Sequence, residues 1–270
     1  MIINLLDIIQ WTVLKHLWQY NMGLFNDKKY IVNFQCDDWS VRKYTPVRPA
    51  SEFVPEKFKQ IPAFVDKQHH MVDSVKTVRV CPGINQYMGM GYVIPAWCDI
   101  ELIPDETSEN IQIRYSDPNF KPDFHYKEQL NNLLDKKFSV RVPIKLDNPW
   151  RIYTAKNWSL MYVPMLYWDD RNWEALPGIT DNDIGPLGCP INIMLKEPKY
   201  TLIKQGEPLV QLVPIYRQEV LAKTSDITKV ALLRHKALDA LRFKSFKGWG
   251  KFMSDRKNYK LDAFDTDLPE

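Results

Sequence analysis

Nine short β-type runs lie between residues 77 and 216, and they constrain the fold more than any other feature of the chain. They are "TVRVC" (77–81), "GYVIPAWCDIEL" (91–102), "IQIRY" (111–115), "FSVRVPI" (138–144), "WRIYT" (150–154), "WSLMYVPML" (158–166), "CPINIML" (189–195), "YTLI" (200–203) and "PLVQLVPIY" (208–216). Most are rich in β-branched or aromatic residues, which suit a pleated, half-buried surface. Turn clusters such as "PDETSEN", "SDPNF" and "LDNP" separate them, because Asp, Asn and Ser bond nearby backbone and Pro fixes φ. Short strands at this spacing predict a mainly β domain, a β-clip or jelly-roll-like sandwich, rather than a βαβ fold. The scarcity of glycine (10) beside proline (19), tryptophan (9) and tyrosine (13) agrees with ordered, proline-punctuated loops.

The chain flanking these runs has a different character. "MIINLLDIIQWTVLKHLWQYNMGLF" predicts an amphipathic helix, with Asn4, Asp7, Thr12, Lys15, His16 and Gln19 largely on one side. Leu6, Ile9, Val13, Leu17 and Tyr20 line the other side, and a face this apolar must be covered by the chain's own core or by a partner subunit. The stretch lacks the basic start and small-residue cleavage site of a signal peptide. Its charges also interrupt the run of about 20 apolar residues that a membrane span requires. Residues 26–76, with Phe53, Phe58 and Phe64 set between prolines, predict an extended arm lying along a surface. The expected division is therefore 1–76 helix and arm, 77–217 β domain, and 218–270 C-terminal helix and tail.

That last segment begins at Ser225, a good N-cap, and places Ile227, Val230, Leu233, Ala237 and Leu241 at helical spacing. Residues 223–260 hold eleven Lys or Arg against three Asp, whereas 261–270 hold four acids and no base. Arg234, Lys236, Arg242, Lys244, Lys247, Trp249 and Lys251, interleaved with phenylalanines, suit phosphate contacts and base stacking. With no recognised nucleic-acid motif present, the solvated basic face of an amphipathic helix is the favoured reading, and an acidic protein surface is the other natural partner. Net charge is only +3, so bulk electrostatics select no partner.

Residues that could carry chemistry are few. Cys36, Cys81, Cys98 and Cys189 form no CxxC pair and are expected to be free thiols. His69 and His70 are adjacent, so a strand would point them to opposite faces; the other histidines lack ligand spacing, and neither a metal nor a cofactor is expected. No GxSxG elbow, Walker A loop or GxGxxG is present, and "YMGMGY" (87–92) reads as a short glycine turn. What remains is "PGITDND" (177–183). Strand alternation would place the carboxylates of Asp181 and Asp183 on one face, where they could share a water or a cation. Asx-turn chemistry, in which Asp and Asn bond their own backbone, accounts for the same residues.

"PGITDND" followed by "IKQGEPLVQLVP" (203–214) resembles the closing half of the dUTPase and dCTP-deaminase β-clip domain. In that family a G-x-x-D-x-D loop precedes an I-x-x-G-D/E-x-x-x-Q-L/I strand. Gly178, Asp181 and Asp183 match the loop, and Gly206, Glu207, Gln211 and Leu212 match the strand. "PWRIYTAKNWSLMYVPML" resembles the preceding strand pair, so the resemblance covers residues 149–216. It implies a β-clip scaffold and, in an enzyme, Asp181 as the base that orients water. Ile184 stands where the family places a base-stacking aromatic, and the family's Ser-Gly phosphate loop and Gly-rich C-terminal motif have no counterpart.

The blocks "CPGINQYMGMGYVIPAWCDIEL", "NPWRIYTAKNWSLMYVPML", "PGITDND" and "GEPLVQLVPIYR" together are similar to an uncharacterised family that recurs in tailed-phage genomes, notably of marine myoviruses. That resemblance implies a virion setting. The expectation is a phage structural or assembly protein, such as a capsid decoration, neck or tail-associated component, found in the virion and in the host cytoplasm during assembly. It would contact other virion proteins and copies of itself through the Leu6–Tyr20 face. The basic helix would meet an acidic neighbour or DNA. The alternatives are a dUTPase-like nucleotide-handling enzyme using Asp181 and Asp183, and a nucleic-acid-binding accessory protein.

Overall fold

The computed structural model describes residues 32–65, 75–106, 110–129, 137–140, 142–184, 189–222 and 224. The expected first helix with Leu6 to Tyr20, the His69–His70 pair and the basic helix from Arg234 to Lys251 lie outside them. One compact unit joins the chain up to Ile61 with Val78–Gln218, and a second joins Pro62–Thr77 with the residues from Glu219 on. In the second, Phe64 and Lys76 form an antiparallel bridge, and the Val65 N–H donates to Val75 O at 2.9 Å.

The first unit is mainly β, as the strand runs predict, and the pairings among its described strands are antiparallel. It opens with β1 (Val32–Gln35), α1 (Trp39–Tyr44), β2 (Arg48–Pro49) and the short α2 (Glu56–Lys59), all within the expected arm. The arm folds back for identifiable reasons. Asp38 caps α1, its Oδ1 accepting the N–H groups of Ser40 (2.7 Å) and Val41 (3.2 Å). Phe53 and Phe58, each a few residues after a helix-starting proline, are buried in the β unit rather than laid along its outside.

The run "TVRVC" departs from its expected strand. Val78–Val80 form a single 3₁₀ turn, and the chain then enters α3 (Pro82–Gly89) with proline in its first turn. There the missing N–H costs nothing and the fixed φ favours a helix. Asn85 holds the junction, its amide donating to Arg79 O and Cys81 O.

Beyond α3 come β3 (Tyr92–Pro95), β4 (Ile100–Pro104), β5 (Ile111–Tyr115), β6 (Asp123–Phe124) and β7 (Ile144–Leu146). They are followed by β8 (Arg151–Thr154), β9 (Trp158–Val163), β10 (Trp173–Ala175) and β11 (Gly178–Thr180). The series closes with β12 (Ile191–Leu195), β13 (Thr201–Ile203) and β14 (Pro208–Tyr216). The principal sheet runs β11-β9-β14-β3-β2; the others run β10-β12-β7-β6, β13-β4-β5 and β1-β8. Ile94, Leu102, Ile144, Leu146, Ile152, Leu160, Ile193 and Leu212 meet in one apolar core between them. "FSVRVPI" contributes only its last residue to a strand, because pairing of β7 with β12 starts at Ile144.

Central strand β14 explains why "GEPLVQLVP" reads as a continuous apolar run: Pro208 to Val213 are buried on both faces. Gly206 enters it with φ 84° and donates its N–H to Ala96 O at 2.8 Å. Gln211 is fully buried, and its amide donates to Tyr87 O and Met90 O, both at 2.7 Å, which ties the end of α3 to the sheet. Gln211→Met keeps the volume but removes both bonds and leaves Met90 O without its side-chain donor, so it is expected to cost about 1 kcal/mol. Urea unfolding checks this: the midpoint should fall with the slope unchanged, and an unshifted midpoint would count against the role assigned to the amide.

Candidate functional site

β11 ends at Thr180, and Asp181, Asn182 and Asp183 turn away from it beside the ends of β9 and β14. The two carboxylates fall on one side, but in a turn beyond β11 and not through the alternation of a strand. Asp181 Oδ2 lies 2.6 Å from Nη1 of Arg217, and Asp183 Oδ2 pairs with Nη2 of the same guanidinium. Asn182 faces the other way and is buried. Its Nδ2 donates to Ile152 O (3.0 Å), its Oδ1 accepts from the Thr180 hydroxyl (2.6 Å), and its carbonyl accepts the Thr154 N–H (3.2 Å).

Three neighbouring segments complete the arrangement. Ser159 on β9 donates its hydroxyl to Asp181 Oδ1 at 2.6 Å. Asn157, at φ 67° in the turn between β8 and β9, donates its N–H to Asp183 Oδ2 at 2.9 Å. Asn tolerates this left-handed backbone better than most residues. Arg217, directly after β14, donates its own N–H to Asn157 O at 2.7 Å. Arg217 thus fastens the β11 exit through its guanidinium and the β8–β9 turn through its backbone N–H, both at the exit of β14.

The chemistry follows from these contacts. The Ser159 hydroxyl, and after it Arg217, hold the Asp181 carboxyl below the usual aspartate range. A general base needs a proton affinity near working pH, and this shift runs the opposite way. Arg217 also occupies the position between the carboxylates that a shared cation would take. The Asp183 side chain is 8% exposed, and among the described residues no donor reaches its Oδ1.

Because the folded-state value of Asp181 is depressed, its contribution is complete above the ordinary aspartate pKa of about 3.9. It is lost as pH falls through the lower folded value. Melting temperatures of wild type and Arg217→Gln are therefore expected to differ most at neutral pH and to converge in strong acid. A gap independent of pH would contradict the clamp.

Other chemistry-bearing residues do not converge. Among the described residues no group of three His, Cys, Asp or Glu could hold a metal ion. His125 contacts Gln129 Oε1 at 3.0 Å and Asn192 Oδ1 at 3.1 Å. All four cysteines are free thiols, and burial pushes those of Cys36, Cys98 and Cys189 up, away from the thiolate that makes cysteine reactive. Nor is any described helix long and apolar enough to cross a membrane.

Three large apolar side chains close to the clamp in the chain are exposed. Ile184 is 78% exposed and Ile179 on edge strand β11 is 60% exposed. Exposed Tyr216 packs its ring against Trp158 at 5.3 Å. Sequence reasoning singled out the carboxylates but not Arg217, Ser159 or Asn157. Only strand register, with Tyr216 opposite Trp158, brings Arg217 alongside Asn157.

No protein-family model matches the chain, and no curated protein matches it. Among solved structures it is similar to the dUTPase of Staphylococcus bacteriophage 80alpha. A point mutant of that enzyme with dUpNHpp shares 11% identity over 73% of this chain and 89% of the other, at a TM-score of 0.34. A second point mutant with dUpNHpp shares 12% identity over 52% and 87%, at a TM-score of 0.28. At that distance the chemistry of this chain has to be read from its own residues.

Proposed function

We infer that the protein is a structural or assembly component of a phage particle and works through contacts between subunits. The observation that carries this reading is the clamp: the motif's two carboxylates are spent on Arg217, where they fasten three segments of the sheet. Support also comes from the exposed Ile179, Ile184 and Tyr216 close to the clamp in the chain. The phage setting draws on the family resemblance of residues 77–217, and the expected Leu6–Tyr20 face would add a second contact surface.

The competing reading is a dUTPase-like nucleotide-handling enzyme. It needs Asp181 to exchange Arg217 for a water and a substrate. A panel of deoxynucleoside triphosphates offered to wild type and Asp181→Asn separates the two: no turnover by either is expected. Turnover by wild type that Asp181→Asn abolishes would overturn the structural reading. The virion role itself is tested by mass spectrometry of purified particles, where the protein is expected at a stoichiometric level and its absence would sink the proposal.

A further inference from the structure

On the far side of β9 from the clamp, the β9–β10 loop closes over a second feature. A cavity of about 390 Å³ opens there, walled by Tyr87, Met165, Trp168, Arg171, Trp173 and Lys196 among others. That volume lies within the range of small-ligand sites. Arg171 shapes it. The guanidinium carbon lies 4.0 Å from the Trp168 ring centroid and 4.8 Å from that of Trp173, so the two indoles grip the group. Its Nη1 donates to Pro208 O at 2.6 Å, and Nε lies 3.0 Å from Glu207 Oε1 without the alignment of a hydrogen bond.

The side chain is only 8% exposed, yet among the described residues no acceptor reaches Nη2. A buried guanidinium donor without a partner is costly, which makes it a standing demand for an acceptor. Lys196 shares the cavity wall. Its Nζ donates to the backbone O of Asp169 at 2.9 Å, and among the described residues no carboxylate pairs with it. Of the remaining charges in the lining, Lys137 pairs with Glu174, and Asp169 contributes a carboxylate. The loop is also held in an uncommon shape: Tyr167 has φ 62°, its ring stacked on Phe58 at 5.6 Å and 13°. A bulky residue held in the left-handed region is over-determined by its surroundings, and such outliers cluster at binding sites.

We propose that this cavity binds a small flat organic anion, an aromatic carboxylate or phosphate. Its ring would lie along the Trp168–Trp173–Met165 wall and its charge would face Arg171 and Lys196. Nη2, the guanidinium nitrogen left without an acceptor, offers the oxyanion one charge-assisted hydrogen bond beside Lys196, and the indoles supply stacking area at little entropic cost. The site is separate from the Asp181–Arg217 clamp and does not depend on the virion reading.

The test is a fluorescence titration of the full chain with 2-naphthoate, its neutral counterpart 2-naphthol, and inorganic phosphate. Expected is saturable quenching by 2-naphthoate, at least about tenfold tighter than by either comparator. Lys196→Gln, a change at the mouth that leaves the core intact, should weaken 2-naphthoate about tenfold, and Arg171→Lys should weaken it further despite the retained charge. Equal affinity for 2-naphthol would overturn the proposal, as would the absence of saturation. Affinity unchanged in Lys196→Gln, which needs no repacking to fold, would overturn it as well.

Discussion

Gly91→Ala is expected to abolish the cooperatively folded β unit, or to cost more than about 4 kcal/mol if the chain still folds. Gly91 sits between α3 and β3 with φ 74°, and a Cβ there would lie 2.0 Å from Leu212 O and 3.2 Å from Val213 Cα. Both obstacles are backbone atoms of β14, which is paired with β3 on one side and β9 on the other, so the strand cannot step aside. Gly91 O also accepts the Ala50 N–H, which fixes where β2 joins the sheet. Gly206 provides the control. Its φ of 84° is similarly left-handed, but a Cβ there meets nothing within 4 Å. Gly206→Ala should therefore cost only the backbone strain, about 1 kcal/mol. Soluble yield and denaturant midpoints of the two variants compare them directly. Equal, mild effects would show that β14 can yield at Leu212.

The second large effect is expected at Arg171. Burial pulls its guanidinium down to about 10, with Glu207 acting against that shift, so the group stays charged at neutral pH. Truncation to alanine removes the partner of Glu207, leaves Pro208 O without its donor and opens a void between Trp168 and Trp173. Breaking a buried pair in this way costs about 4 kcal/mol. Arg171→Met refills the void without restoring the hydrogen bond, so it should recover part of the loss. Guanidinium unfolding of the three proteins measures the order. An alanine variant within about 1 kcal/mol of wild type would mean that the aromatic grip is incidental.

The strands were the most legible part of the sequence where apolar residues crowd both faces of a strand. "PLVQLVPIY" became β14 residue for residue, because a strand buried on both faces has no room for a polar interruption except a satisfied one. "TVRVC" carried the same β-branched signal, but three residues before Pro82 have too little length to pair, and the proline starts α3. The arm was harder to read because short-range patterns do not report long-range pairing. Nothing in "VNFQ" indicates that it will pair with β8, more than 100 residues on. Several of the residues that carry the β-clip resemblance were visible, and three of them have a mechanical task in the structure. Gly206 turns the chain, Glu207 meets Arg171, and Gln211 seals α3. Arg217 was hidden because its role depends on a register that no local spacing encodes.

In the proposed function the clamp is a piece of scaffold and the exposed isoleucines beside it form a contact surface. Sedimentation equilibrium of the full chain over a wide concentration range tests this most directly, with Ile179→Lys/Ile184→Lys as the comparison. Expected is a wild-type multimer that the double variant weakens while keeping its melting temperature, since both isoleucines are exposed. A wild type that sediments as a single chain at every concentration would contradict it.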